Sequence, residues 1–400
     1  MTRLVLCLLL LLGATAGAQG SARRVAVVPL QALSGDLTSR GGPRLTERLM
    51  SELRGTGGLR LITPPPEEPP PDQLAPARAQ VKEAEARRQQ RDFAGAESAL
   101  AQALEGYTTQ AASLPHGQEL ADAHALRAAI LYAQGKDEEA TRAVTSALAL
   151  APGRALPLAA TSPLFAHTVG RVQAALREQP RGSLRFTSAP TGVTVTLDGK
   201  RLESAPVRVA GVPPGLHLWR AELPSGEVAG GLVEVSSGQE AAVAIRPPGE
   251  GPSAVLAAAL AGNRLDTAAV DAAAELGRSL GVDLLVFGTV SRTEEGLALD
   301  SFVLAPDTRA PRRLPRVTLD AELLDAGPRL RSLTGALAAQ GAASGEAVRL
   351  PTAPAAQEAP DTRLLQVTYP EVAPPPAPAT PTAPAPSRAP LTPRKPLIRP

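Results

Sequence analysis

Four hundred residues with 41 prolines, 35 glycines and only 2% aromatics set a frame of two to four domains, with cores built from Leu, Val and Ala. Basic and acidic residues nearly balance, at 41 against 39 and a net charge of +2, which excludes the broad basic field that holds nucleic-acid phosphates. The single cysteine, Cys7, lies in the N-terminal apolar run, so disulfides, thiol catalysis and cysteine-based metal sites are excluded from the rest of the chain.

Residues 1–18 read as a secretory signal peptide. Arg3 supplies the positive n-region, and Leu4 to Leu12 form an apolar h-region too short to span a bilayer. Ala16-Gly17-Ala18 is an A-x-A cleavage site, so the exported chain begins near Gln19. Residues 24–63 read as the first half of an α/β domain. The continuous apolar run 24–30 suits a strand buried on both faces. Leu45, Leu49 and Leu53 then lie four apart on one stripe of a helix over 43–53, and 59–62 is a second short strand. Residues 64–72 form a stiff Pro-rich spacer. Helices are expected over 73–180. The last of them starts at Ser162-Pro163, with Phe165 and His167 as packing residues.

The hydrophobic period changes to two over residues 182–246. Leu184 and Phe186, then Val193, Val195 and Leu197, then Val207 and Val209, then Val233 and Val235, then Ala241, Val243 and Ile245 alternate along short runs, as half-buried strands do. Turn residues separate them. Asp198-Gly199 between two apolar runs is a hairpin cue, because Gly accepts positive φ without a side-chain clash. Beyond Pro252, helices over 253–260 and 266–280 lead into a strand over 282–290, with Gly281 stopping the second helix. A hairpin loop at 293–296, strands at 297–304 and 316–319, and a helix over 328–339 begun by Pro328 follow. A two-strand N-terminal fragment is too small to bury a core alone. Residues 253–340 are therefore read as the second half of the same α/β domain, with the helices and β module inserted. Residues 346–400 read as a Pro-rich disordered tail, with one stray strand at 363–369.

Residues 182–246 resemble the PEGA domain, a small β-sandwich repeat of bacterial envelope proteins. The resemblance is carried by Ser188-Ala189-Pro190-Thr191-Gly192-Val193, Val195-Thr196-Leu197-Asp198-Gly199-Lys200, Ala205-Pro206 and Gly211-Val212-Pro213-Pro214-Gly215-Leu216-His217. Thr191 and Val193 replace the family's Glu and Ala. The resemblance implies an envelope role without catalysis and puts His217 at the family's His position. Residues 91–96 parallel 135–140, Ala99 parallels Ala143, and Leu104 parallels Leu148. This pattern resembles tetratricopeptide repeats, whose crossing helices need small residues, and it implies either a protein-binding groove or a helical spacer. Val25 to Ile62, together with Ala274-Glu275-Leu276-Gly277 and the run from Gly281-Val282-Asp283 to Gly288, are similar to the exported α/β domains that include the N-terminal domain of TolB and the curli-secretion protein CsgG.

The expected fold is multidomain α+β: a split α/β domain, TPR-like helical hairpins, a small PEGA-type β-sandwich and the tail. Among His116, His124, His167 and His217 none stands at metal-ligand spacing, and no nucleophile elbow, zincin motif, P-loop or dinucleotide fingerprint occurs. No catalytic, cofactor or metal residue is expected. His217 and Trp219 are the candidates for a binding surface, against a plainer role in packing. The expected function is an exported, non-enzymatic envelope protein that binds envelope proteins or peptidoglycan. It binds no nucleic acid and has no transmembrane helix in the exported chain. The alternative is an accessory subunit of an outer-membrane transport or secretion assembly.

Overall fold

A computed structural model describes residues 22–34, 41–63, 72–156, 162–356 and 364–370. The signal segment, with Ala16, Ala18 and Gln19, and spacer residues 64–71 lie outside the described residues. The chain opens with β1 (Arg23–Val27), β2 (Gln31–Ala32), α1 (Gly41–Gly55) and β3 (Leu59–Leu61). Helices α2 (Ala75–Gln89), α3 (Phe93–Thr109), α4 (Gln118–Ala133), α5 (Asp137–Leu150) and α6 (Pro163–Glu178) follow. Next come strands β4 (Gly182–Ser188), β5 (Thr194–Leu197), β6 (Lys200–Ser204), β7 (Val207–Val212), β8 (Gly215–Glu222), β9 (Val228–Val235) and β10 (Glu240–Ile245). The remainder is α7 (Gly251–Ala261), α8 (Thr267–Ser279), β11 (Leu284–Thr293), β12 (Gly296–Leu304), β13 (Arg312–Arg313), β14 (Val317–Leu319), α9 (Ala326–Gln340), β15 (Glu346–Ala347) and β16 (Leu365–Thr368).

The first and last parts of the chain share one sheet. Its order is β15-β13-β12-β11-β1-β3, with β2 extending the β1 side of β11 and β14 pairing β12. β1 runs parallel to β3 and to β11, with Val25 opposite Leu284 and Val27 opposite Val286. β11 and β12 form a long antiparallel hairpin closed by the two residues between Thr293 and Gly296. Alternate residues serve two layers. Val25, Leu284 and Val286 pack with Leu45, Leu49 and Leu53 of α1 and Leu330, Leu333 and Leu337 of α9. Ala26, Val28, Leu285 and Phe287 pack with Leu256 and Leu260 of α7 and Val270 and Ala273 of α8. Asp283 fixes the entry to β11 by accepting from the Arg24 backbone N–H (2.8 Å) and from Arg24 Nη2 (2.8 Å).

Helices α2 to α5 form two hairpins. The parallel segments of the sequence occupy their turns: Arg91 (φ 62°) and Gly135 (φ 75°) reverse the chain, and Phe93 and Asp137 begin the returning helices. Asp92 caps α3 by accepting from the Gly95 N–H (3.0 Å). Small residues line the interior: Ala96, Ala99, Ala103, Ala121, Ala125, Ala128, Ala140, Ala143 and Ala147 are all buried in one core. Ser162 caps α6. Phe165 is buried, whereas His167, expected to pack, is exposed. It sits on the solvent face of an amphipathic helix.

β4 to β10 make two facing sheets, β10-β4-β7-β16 and β6-β5-β8-β9. The alternating residues meet between them: Leu184, Phe186, Val193, Val195, Leu197, Val207, Val209, Val235, Val243 and Ile245 share one core. The outer face of β8 and β9 is in part covered by the helices. Leu216, Leu218 and Leu232 join the helical core. Gly230 permits this approach, since a Cβ there would come within 2.8 Å of the Ala112 backbone. Arg220 spans the contact, donating from Nε to Ala112 O (3.2 Å) and from Nη1 to Pro115 O (3.4 Å).

The disordered tail expected over 346–400 is corrected where the structure describes it. Glu346–Ala347 pairs with β13. Thr352 bridges to Leu265, and Ala355 exchanges hydrogen bonds with Asn263 and is buried. The stray strand near 363–369 is not stray: it is β16, the edge of a sandwich sheet, parallel to β7. An aromatic anchor at Tyr369 and the free edge of β7 outweigh the Pro-rich surroundings that signal disorder. Residues 357–363 and 371–400 lie outside the described residues.

Candidate functional site: a closed polar cluster beside a cationic groove

Asp198 and Gly199 form the two-residue turn between β5 and β6, with φ of 49° and 78°. Two positive φ values make a turn whose twist matches the strands, and Asp tolerates the first position. The turn carries the Asp198 carboxylate inward, where its side chain is fully buried. Oδ1 accepts from the Leu218 backbone N–H (3.0 Å). Oδ2 accepts from the Tyr369 hydroxyl (2.9 Å) and lies 2.7 Å from His217 Nδ1. The other ring nitrogen, Nε2, donates to the Pro213 carbonyl oxygen (2.8 Å), because a carbonyl can only accept. The Tyr369 ring meets the His217 ring edge to face at 6.1 Å. Lys200 Nζ sits 5.5 Å from the Tyr369 ring centroid and donates to Pro370 O (2.9 Å). Burial, and then the nearby Asp198 carboxylate, push the Tyr369 hydroxyl well above its ordinary value. Burial pulls the Lys200 ammonium below its own. The cluster therefore works as a fastener: a carboxylate at the end of one sheet holds a histidine from its own sheet and a tyrosine from the opposite one.

His217 is thus placed away from any surface, at 0% exposure with both ring nitrogens occupied. Trp219 is half-buried and also turns inward. Its ring packs on Phe186 at 6.4 Å and leaves room only for hydrogen opposite, since a Cβ on Gly231 would lie 3.1 Å from the indole nitrogen. The expectation of a binding surface at these two residues is corrected on that geometry: both stand on the face of β8 that looks into the sandwich.

The open feature lies next to this cluster. A groove of about 480 Å³ runs between the helices and the sandwich, lined by Leu148 and Ala149 of α5, Gln173, Leu176 and Arg177 of α6, Arg181, the Pro213-Pro214 turn, Thr368 and Tyr369. Leu148, Leu176, the two prolines and the tyrosine ring give it apolar surface. Arg177 and Arg181 are exposed, and neither belongs to an ion pair among those the described residues form. Gly215 lets the β8 end of the wall approach α5: its φ is 132°, and a Cβ would lie 2.7 Å from that of Ala149.

The α/β sheet holds one further buried carboxyl. Asp300 lies opposite Thr289 of β11, on the strand face that also carries Phe302. Its Oδ2 makes no hydrogen bond, Arg316 Nε stands 3.8 Å away, and burial pushes the carboxyl upward. Among the described residues no group of three or more His, Cys, Asp or Glu could hold a metal ion, and no helix is long and apolar enough to cross a membrane.

Residues 181–247 match the family model of the PEGA domain. The match spans β4 to β10 and leaves out β16. Comparison of the chain with curated proteins and with solved structures gave no match.

Proposed function

We propose that this chain is an exported, non-enzymatic cell-envelope protein that binds an extended, carboxylate-bearing segment of an envelope protein or of peptidoglycan along the groove between α5, α6 and the sandwich. The carrying observation is the pair Arg177 and Arg181, exposed and in no ion pair among the described residues, beside Leu176, Pro213, Pro214 and the Tyr369 ring. Such a surface suits a ligand with apolar or proline residues flanked by carboxylates, which guanidinium groups bind in bidentate fashion. The PEGA-domain match supports an extracytoplasmic setting, the one the N-terminal signal-like segment also implies. Helix α5, the last of the hairpin helices, forms part of one wall of the groove with α6, which supports a role for the helical region beyond spacing. The test is capture from envelope fractions, and of purified peptidoglycan, with the full chain and with Arg177→Glu/Arg181→Glu. Loss of the captured material in the variant is expected. An unchanged set would remove the groove from the account.

The second reading is an accessory subunit of an outer-membrane transport or secretion assembly. It is supported by the parallel strands β3, β1 and β11 flanked by helices on both faces, which fits the TolB- and CsgG-like resemblance. Mass in solution separates the two: a ring subunit assembles, whereas a stable monomer argues for the scaffold.

A further inference from the structure

We infer that the edge of β7 is a strand-acceptor site, filled within one chain by β16 and able to take β16 of a second copy, so that two chains pair by exchanging residues 364–370. This goes beyond the groove reading and does not depend on Arg177 or Arg181. The sandwich strands that match the PEGA model end at β10, and the strand that covers β7 arrives from residues more than a hundred positions later. Its ladder is short: Leu365 to Thr368 lie opposite Val207 to Ala210, extended by Leu365 N to Pro206 O (3.2 Å) and Tyr369 N to Ala210 O (2.8 Å). Little apolar surface holds it. Leu364 and Leu365 are 37% and 44% exposed, Gln366 and Thr368 are exposed, and Val367 is half-buried. The one deep anchor is Tyr369, at 7% exposure, with its hydroxyl on Asp198 and the following carbonyl on Lys200 Nζ.

A four-residue ladder with one anchor belongs to the low-stability end of a fold, where local opening is frequent. Once β16 leaves, β7 presents a row of unpaired backbone groups, and Asp198 loses a donor in a buried place. The strand that fits both without adjustment is the same strand of another copy. Each copy then donates and accepts once, which closes a two-fold pair.

The test uses the register pair Arg208 and Gln366, in full-length chains with Cys7→Ser. Chains bearing R208C alone and Q366C alone are mixed and treated with a short bismaleimide; the R208C/Q366C double variant reports the contact within one chain. Cross-linked heterodimer that grows with protein concentration is expected. Tyr369→Ala in the Q366C chain should lower the yield several-fold, because the donor loses its anchor. In the R208C chain it should raise the yield, because the acceptor's own edge is freed. Tyr369→Phe, which keeps the ring in place, should shift the yields in the same directions by less. Cross-linking only within the double variant overturns the proposal. So does a heterodimer yield that is indifferent to which chain carries the Tyr369 substitution.

Discussion

Asp198 is the residue on which the sandwich closes. It gathers three partners in a buried place: the Leu218 N–H and the Tyr369 hydroxyl donate to it, and His217 Nδ1 stands 2.7 Å from its Oδ2. Removing a shared acceptor costs more than its own hydrogen bonds, since each stranded donor carries a desolvation penalty of roughly 1–3 kcal/mol. Asp198→Ala should therefore destabilise the sandwich by about 3 kcal/mol or more, read from the denaturant midpoint; a loss under about 1 kcal/mol would mean that the cluster is loosely held. His124 makes a different demand. Its Nδ1 is buried without a partner, and burial first, with Arg127 adding, pushes the ring down to about 4. The folded protein thus keeps this histidine neutral, while the unfolded chain takes up a proton below about pH 6.5. Stability from this group is present above that value, falls as pH drops, and is fully lost below about 4, a difference of about 3 kcal/mol. His124→Gln should flatten the loss between pH 7 and pH 4 in urea titrations; an unchanged slope would assign the acid sensitivity elsewhere. His217 and Trp219 stand out in the sequence because their residue types are rare. Their inward direction does not, since it depends on a positive-φ aspartate and on a tyrosine 171 positions from it. Arg177 and Arg181 carry no signal of their own among 41 basic residues. Only the fold sets them beside apolar surface.

At the scale of elements, the β8-β9 side of the sheet β6-β5-β8-β9 packs on both faces, against the facing sandwich sheet and against the helices. Gly230 is a close approach to backbone on the helical side. Gly230→Val would drive side-chain atoms into the Ala112 backbone and should destabilise the contact by about 1–3 kcal/mol. Amide exchange should then rise around residues 111–113 and along β9, while β1 and β11 keep their protection; no change in β9 would mean that the layers are not closely packed. Strands β4, β5, β7, β9 and β10 are legible from sequence, because each alternates apolar residues and is fenced by Gly or Pro turns, whereas β6, with Leu202 as its one apolar residue, and β8, apolar on both faces at its centre, give no such run. The helical turns at Arg91 and Gly135 are legible from a repeated pattern. Strands β2, β13 and β15 are two residues long and leave no period to read. β16 offers one alternation, Val367 and Tyr369, inside a Pro-rich stretch, and its partner is set by a sheet edge that no local signal announces.

Across the whole molecule, the chain returns after the helices and the sandwich to complete the sheet it began. Arg24 and Asp283, 259 positions apart, join the two ends at the start of adjacent parallel strands. β1 therefore has no core of its own: Val25 is buried between α1 and α9 on a face shared with Leu284 and Val286. Parallel strands of this kind gain stability only when both long connections are folded back, so β1, β3 and β11 should open as one unit. The sandwich draws on a separate core and should not follow. Val25→Ala, worth about 2 kcal/mol, should raise amide exchange in β1, β3 and β11 by a common factor of roughly 30, the fold-change that 2 kcal/mol corresponds to. β4 to β10 should exchange as before. If exchange rose in β1 alone, the first strand would be an appendage to the sheet; if it rose throughout β4 to β10 as well, the two cores would be one cooperative body.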